Sequence, residues 1–177
     1  MAKLGTKTIY LIRHAESLQN VAMSRMSRGD VKAGLAVAQL GHDAPLSQEG
    51  YNQIKNAKQK LSQMNYSPGG DNSPVPELVL HSNLERARET AMGIFPKDGS
   101  IPLLELPFIF ERTIFEYAMP SGLGTRIQNL HTWLCSREES VVAIVGHGQF
   151  FKMWLRLTDT QHNLSCIKCA WSSDEGL

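Results

Sequence analysis

Three cysteines in 177 residues, Cys135, Cys166 and Cys169, are too few for a disulfide framework. Cys166 and Cys169 have CxxC spacing, but a zinc site needs two further ligands that do not cluster with them. They read as ordinary thiols on a late strand. Net charge is also scarce: 18 Lys and Arg against 17 Asp and Glu leave +1. No global field draws this chain to nucleic acid or to a membrane, so any anion site has to be local. The longest weakly polar run, Val141 to Phe151, falls far short of the ~20 residues that span a bilayer. Met1 to Lys7 lacks the apolar stretch of a signal peptide. The expectation is a cytoplasmic protein, a monomer or small homo-oligomer. There is no HExxH, no P-loop and no carboxylate cluster at metal-ligand spacing, so neither a metal nor a cofactor is expected.

What is present reads as globular: 42% hydrophobic and 20% charged residues, over a length that can bury a core. No internal repeat or linker is visible, so residues 1–177 are expected to form a single domain. Residues 8–12, 78–81 and 141–145 are continuous apolar runs that suit buried parallel strands. Ile101–Leu106 is a weaker strand, and Pro102 and Pro107 favour an edge for it. Cys166–Trp171 suits a last strand. Amphipathic spacing predicts helices over Gln48–Met64, with Ser47 as N-cap, and over Leu84–Ile94, Arg126–Arg137 and Gln149–Leu157. Asn65–Pro76 reads as a loop. Val21–Ala44 has mixed signals, and a short helix is expected only around Leu35–Leu40. Alternating strands and helices predict a three-layer α/β sandwich, with helices on both faces of a central, mostly parallel sheet.

Chemistry collects behind the strands. Arg13 and His14 follow the first, His81, Ser82 and then Arg86 the second, and Gly146-His147-Gly148 the third. Ligands of open α/β sheets bind outside the carboxyl ends of the strands, so separate segments bring cationic and titratable groups to one edge. Each group alone would be an ordinary surface pair, turn or wet helix face. Their convergence points to an oxyanion or phosphate pocket, since guanidinium forks and helix N-termini bind such groups. Gly148 would let an anion approach the backbone.

These residues resemble the histidine phosphatase superfamily, which includes the phosphoglycerate mutases. Leu11-Ile12-Arg13-His14-Ala15-Glu16-Ser17, ending at Asn20, is similar to its Arg-His-Gly-Glu-Ser…Asn signature. Pro45-Leu46-Ser47 through Gly50 to Gln53, Ser82 to Ala91, and Val145-Gly146-His147-Gly148 resemble its other blocks, in family order. Ala15 departs from the usual Gly, and Gln19 stands where mutases often have Trp.

The resemblance implies a phosphoglycerate mutase-like fold and a metal-independent phosphatase acting through a phosphohistidine on His14. Arg13, Arg86 and His147 would surround the phosphoryl group. Asn20, Ser17 and Gly148 would contribute to phosphate binding. Glu111 would be the general acid, with Glu116 as rival. The partner would be a phosphorylated small molecule or a phosphoprotein, selected by Val21–Ala44 and the aromatic-rich Pro107–Gly124. Two alternatives are phosphoglycerate mutase-type phosphotransfer and a non-catalytic phospho-ligand-binding or scaffold domain. Only 36 positions separate Glu111 from His147, little room for the lid that a mutase needs to exclude water.

Overall fold

The structure is a computed structural model, which describes residues 6–63, 68, 73–113, 116–117, 121–156 and 162–173. Met64, Phe115, Met119, Leu157 and most of the Asn65–Pro76 loop, each part of a prediction above, lie outside the described residues.

Among the described residues, five strands form one sheet: β1 (Lys7–Arg13), β2 (Leu78–Ser82), β3 (Leu103–Leu106), β4 (Val141–Gly146) and β5 (Cys166–Trp171). Their order is β3-β2-β4-β1-β5, and only β5 runs antiparallel. Alternate residues of the central strands feed two cores. Ile9, Leu11, Leu80 and Ile144 pack toward α5 (Ser121–Cys135) and α6 (Gly148–Leu155). Tyr10, Ile12, Val79 and Val145 pack toward α3 (Gln48–Gln63) and α4 (Glu85–Ile94). Period-two alternation therefore buries both faces, which explains the uninterrupted apolar runs. The three-layer architecture is the predicted one.

Ser47 caps α3, its Oγ accepting from Gly50 N at 3.0 Å. Gly50 itself is required by close approach: a Cβ there would stand 2.1 Å from the Glu16 carbonyl oxygen. This contact seats α3 against the segment that follows His14.

One expectation is corrected. Val21–Ala44 is not an irregular loop with one short helix. It belongs to a helical hairpin of α1 (Leu18–Ser27) and α2 (Val31–Leu40). The signals were local and polar. Ser17 and Asn20 form a capping box, Asp30 caps α2 through Lys32 N, and Gly29 turns the chain at φ +92°. α1 lacks the apolar stripe that marks the other helices, and α2 is apolar along most of its length although half of its residues are exposed.

Cys166 and Cys169 sit three apart on β5, so they project to opposite faces and cannot clasp one ion. No helix among the described residues is long and apolar enough to cross a membrane.

Candidate active site

The parallel register sets the strand ends level: Arg13 lies opposite Gly146 and His81 opposite Val145. His14 and His147 therefore leave adjacent strands side by side, with ring centroids 5.1 Å apart. Both are buried. His14 Nδ1 lies 2.6 Å from Ala15 O, so it carries the proton and leaves Nε2 with a lone pair. Arg86 Nε donates to that Nε2 at 3.3 Å. Arg86 is itself held by His42 O, which accepts from Nη1 at 2.8 Å. Arg13 packs against the start of α6, where a Cβ on Gly148 would stand 3.2 Å from Arg13 Nε.

The electrostatics follow from burial among cations. Desolvation, then Arg86 and Arg13, push His14 down to about 3, against the pull of its Ala15 hydrogen bond. Burial, His14 and Arg86 hold His147 well below its ordinary value. Among the described residues neither ring nitrogen of His147 has a hydrogen-bond partner. Surrounded by these cations alone, His147 is neutral. An anion among these cations would raise its pKa.

These shifts make stability pH-dependent. Below about pH 6.5 the unfolded chain takes up a proton on His14 that the folded chain refuses until about pH 3. Stability is therefore complete above that range and lost on acidification. Between pH 7 and 5 the His14 contribution alone is about 2 kcal/mol. Urea midpoints should show a smaller acid loss in His14→Gln than in the parent, and equal losses would locate the sensitive group elsewhere.

Glu111 approaches the same pocket. Its Oε1 accepts from Gln149 N at 3.2 Å, at the start of α6, and from Arg112 N at 3.0 Å. Burial pushes its carboxyl up, opposed by the Arg112 N–H and by Arg86 and Arg13. Glu116 is placed differently. It takes a two-point ion pair from Arg126, with Nε–Oε1 at 2.8 Å and Nη2–Oε2 at 2.7 Å, plus Thr113 N at 3.0 Å. Burial pushes Glu116 up, but Arg126 and Thr113 outweigh it and hold the carboxyl below its usual range.

Asn20 and Ser17 lie at the start of α1. Asn20 Oδ1 accepts from Ser17 N, Ser17 Oγ and Asn163 Nδ2, each at 3.1 Å. The Asn20 oxygen is thus committed within the protein, and the Ser17 hydroxyl is engaged in the cap.

Three supporting residues were not singled out from the sequence. Thr90 Oγ1 accepts from Ala15 N at 3.0 Å and donates to Arg86 O at 2.6 Å, tying the peptide that orients His14 to the helix that carries Arg86. His42 sits against Phe110, edge-on, at 6.1 Å. Arg126 stacks over Phe110 at 3.8 Å and donates to the Phe108 and Phe110 carbonyls, which shapes the segment leading to Glu111. Thr90 was visible within its motif. The other two act through contacts that spacing does not reveal.

Such a sheet, with histidines and arginines gathered outside its strand ends, defines a three-layer α/β protein. The pattern of the Histidine phosphatase superfamily (branch 1) matches residues 9–121, more than half of the sequence. The chain belongs to that superfamily. Solved structures share the fold. Mycobacterial glucosyl-3-phosphoglycerate phosphatase Rv2419c is 14% identical, with 96% of this chain and 93% of that one covered at a TM-score of 0.56. Phosphoserine phosphatase from Entamoeba histolytica is 16% identical, with coverages of 92% and 89% and a TM-score of 0.56. SixA of Agrobacterium tumefaciens, assigned as a phosphohistidine phosphatase, is 15% identical, with coverages of 92% and 89% and a TM-score of 0.55. No curated protein sequence is significantly similar to this chain.

Proposed function

We infer that the protein hydrolyses a phosphomonoester, or a phosphorylated protein side chain, through a phosphohistidine on His14, without a metal ion. The observation that carries this reading is the His14 Nδ1 contact to Ala15 O at 2.6 Å, which presents a neutral Nε2 between Arg86 and His147. A neutral, oriented imidazole is a nucleophile at ordinary pH.

Nε2 attacks phosphorus as the P–O bond to the alcohol breaks. Arg13, Arg86 and His147 neutralise the equatorial oxygens, and the Asn20 amide adds a donor. Phosphoryl transfer asks the protein for little beyond position and charge. Glu111 gives its proton to the leaving oxygen, then takes one from the water that attacks the phosphohistidine. Its raised carboxyl suits the acid half of that cycle. Glu116, committed to Arg126, serves the shape of its segment. Membership of the superfamily and the phosphatase names of the structural neighbours support hydrolysis.

The test is an aryl phosphate assay with chelator present. Steady phosphate release is expected, and vanadate, which adopts five-coordinate geometry, should inhibit roughly 10²-fold more tightly than phosphate. A parallel incubation with 3-phosphoglycerate and a bisphosphoglycerate primer separates hydrolysis from isomerisation. Isomer exchange faster than phosphate release, or no release from any ester, would overturn the reading.

A further inference from the structure

His14 is oriented by one acceptor, Ala15 O, so whatever holds that carbonyl also holds the imidazole. A peptide group is planar and rigid, and fixing its N–H fixes its C=O as well. The N–H of the peptide that carries Ala15 O belongs to Glu16, and it donates to Gln53 Oε1 at 2.9 Å. The bonds run in one direction: His14 Nδ1–H to Ala15 O, then, across the peptide, Glu16 N–H to Gln53 Oε1. Hydrogen bonds in such a chain polarise one another, and a peptide whose N–H is engaged has a stronger acceptor in its carbonyl.

Gln53 reaches this peptide because of its place on α3. Ser47, Gly50 and Gln53 recur three apart, along one side of the start of that helix. Ser47 N donates to Glu16 O at 2.9 Å, and Ser47 Oγ donates to Glu16 Oε1 at 2.6 Å. Gly50 has no Cβ to hold the helix away from the Glu16 carbonyl. Gln53, one turn further on, meets the N–H of the same residue. Leu18 N adds a bond to Pro45 O at 3.0 Å, which joins the segment after His14 to the chain entering α3. From α4, Thr90 Oγ1 accepts from Ala15 N at 3.0 Å.

On the reading of His14 as the nucleophile, on which this rests, we propose that Gln53 is a positioning residue. It anchors the Ala15–Glu16 peptide, so that His14 keeps its proton on Nδ1 and presents the Nε2 lone pair. The peptide does for His14 what a carboxylate does for the histidine of a serine hydrolase, and Gln53 holds the peptide. Without that anchor the carbonyl can turn away. The Nε2–H tautomer, which has no lone pair to offer to phosphorus, then gains population.

The experiment records the tautomer of His14 by heteronuclear NMR of the full chain with isotope-labelled histidine. Turnover of aryl and alkyl phosphates is measured beside it. Gln53→Met keeps the length of the side chain and removes the acceptor. It should raise the Nε2–H population of His14 and lower kcat for both ester classes by about 10–100-fold, the scale for partners that orient a functional histidine. Phosphate should inhibit parent and variant alike, because Arg13, Arg86 and His147 are untouched. Gln53→Glu offers an acceptor at the same reach, and should restore the Nδ1–H tautomer and most of the turnover. In the parent, the Glu16 amide should be protected from hydrogen exchange, a measurement that needs no variant to fold. An unprotected Glu16 amide, an unchanged tautomer in Gln53→Met, or an equal loss in Gln53→Glu overturns the proposal. The tautomer is read on the resting protein, so failure of the hydrolytic reading shows separately, as retained turnover in His14→Ala or none in the parent.

Discussion

Replacing His14 with alanine is expected to lower turnover by roughly 10⁵–10⁶-fold, the scale on which removal of a nucleophile acts. The fold should survive, because His14 stands just past the end of β1 and belongs to neither apolar core. Arg13, Arg86 and His147 remain, so phosphate should still bind. In the parent protein, rapid quenching during turnover should trap an acid-labile, base-stable phosphoryl group. Peptide mapping should place that group on His14. Substantial turnover in His14→Ala would exclude the covalent route.

The second large effect depends on the leaving group. Glu111→Gln keeps the hydrogen bonds from Gln149 N and Arg112 N but removes the transferable proton. Alkyl phosphates, whose alkoxide leaves badly, should slow by about 10²–10⁴-fold, while aryl phosphates with acidic phenols change far less. The acid form is required, so kcat/KM for alkyl esters should fall as pH rises through the elevated Glu111 titration. That alkaline limb should vanish in Glu111→Gln. Glu116→Gln should instead loosen the Arg126 pair and cost both ester classes alike. If Glu116→Gln shows the leaving-group dependence and Glu111→Gln does not, the acid is Glu116.

Most of the scaffold was legible because its signals are local and repetitive. The central strands are buried on both faces, so they appear as unbroken apolar runs, and α3 and α4 carry the stripe that a helix needs to cover them. The hairpin of α1 and α2 was not legible as such. Its helices rest mostly on caps and on each other, α1 carries almost no apolar periodicity, and α2 has apolar residues at exposed positions.

By itself the sequence determined which residues stand at the strand ends: Arg13 and His14, Arg86 in the first turn of the helix that follows β2, and His147 between two glycines. It determined the superfamily as well, since motif order and spacing survive in one dimension. Only the tertiary structure decided what those residues are. The tautomer of His14 depends on a carbonyl one residue away being turned toward it, with Thr90 holding the same peptide from α4. The neutrality of both histidines depends on desolvation and on cations contributed by distant segments. Glu111 and Glu116 are five positions apart and chemically identical in sequence. Folding puts one carboxyl at the start of α6 beside the pocket and locks the other onto Arg126, because hydrogen bonding and burial act through space rather than along the chain.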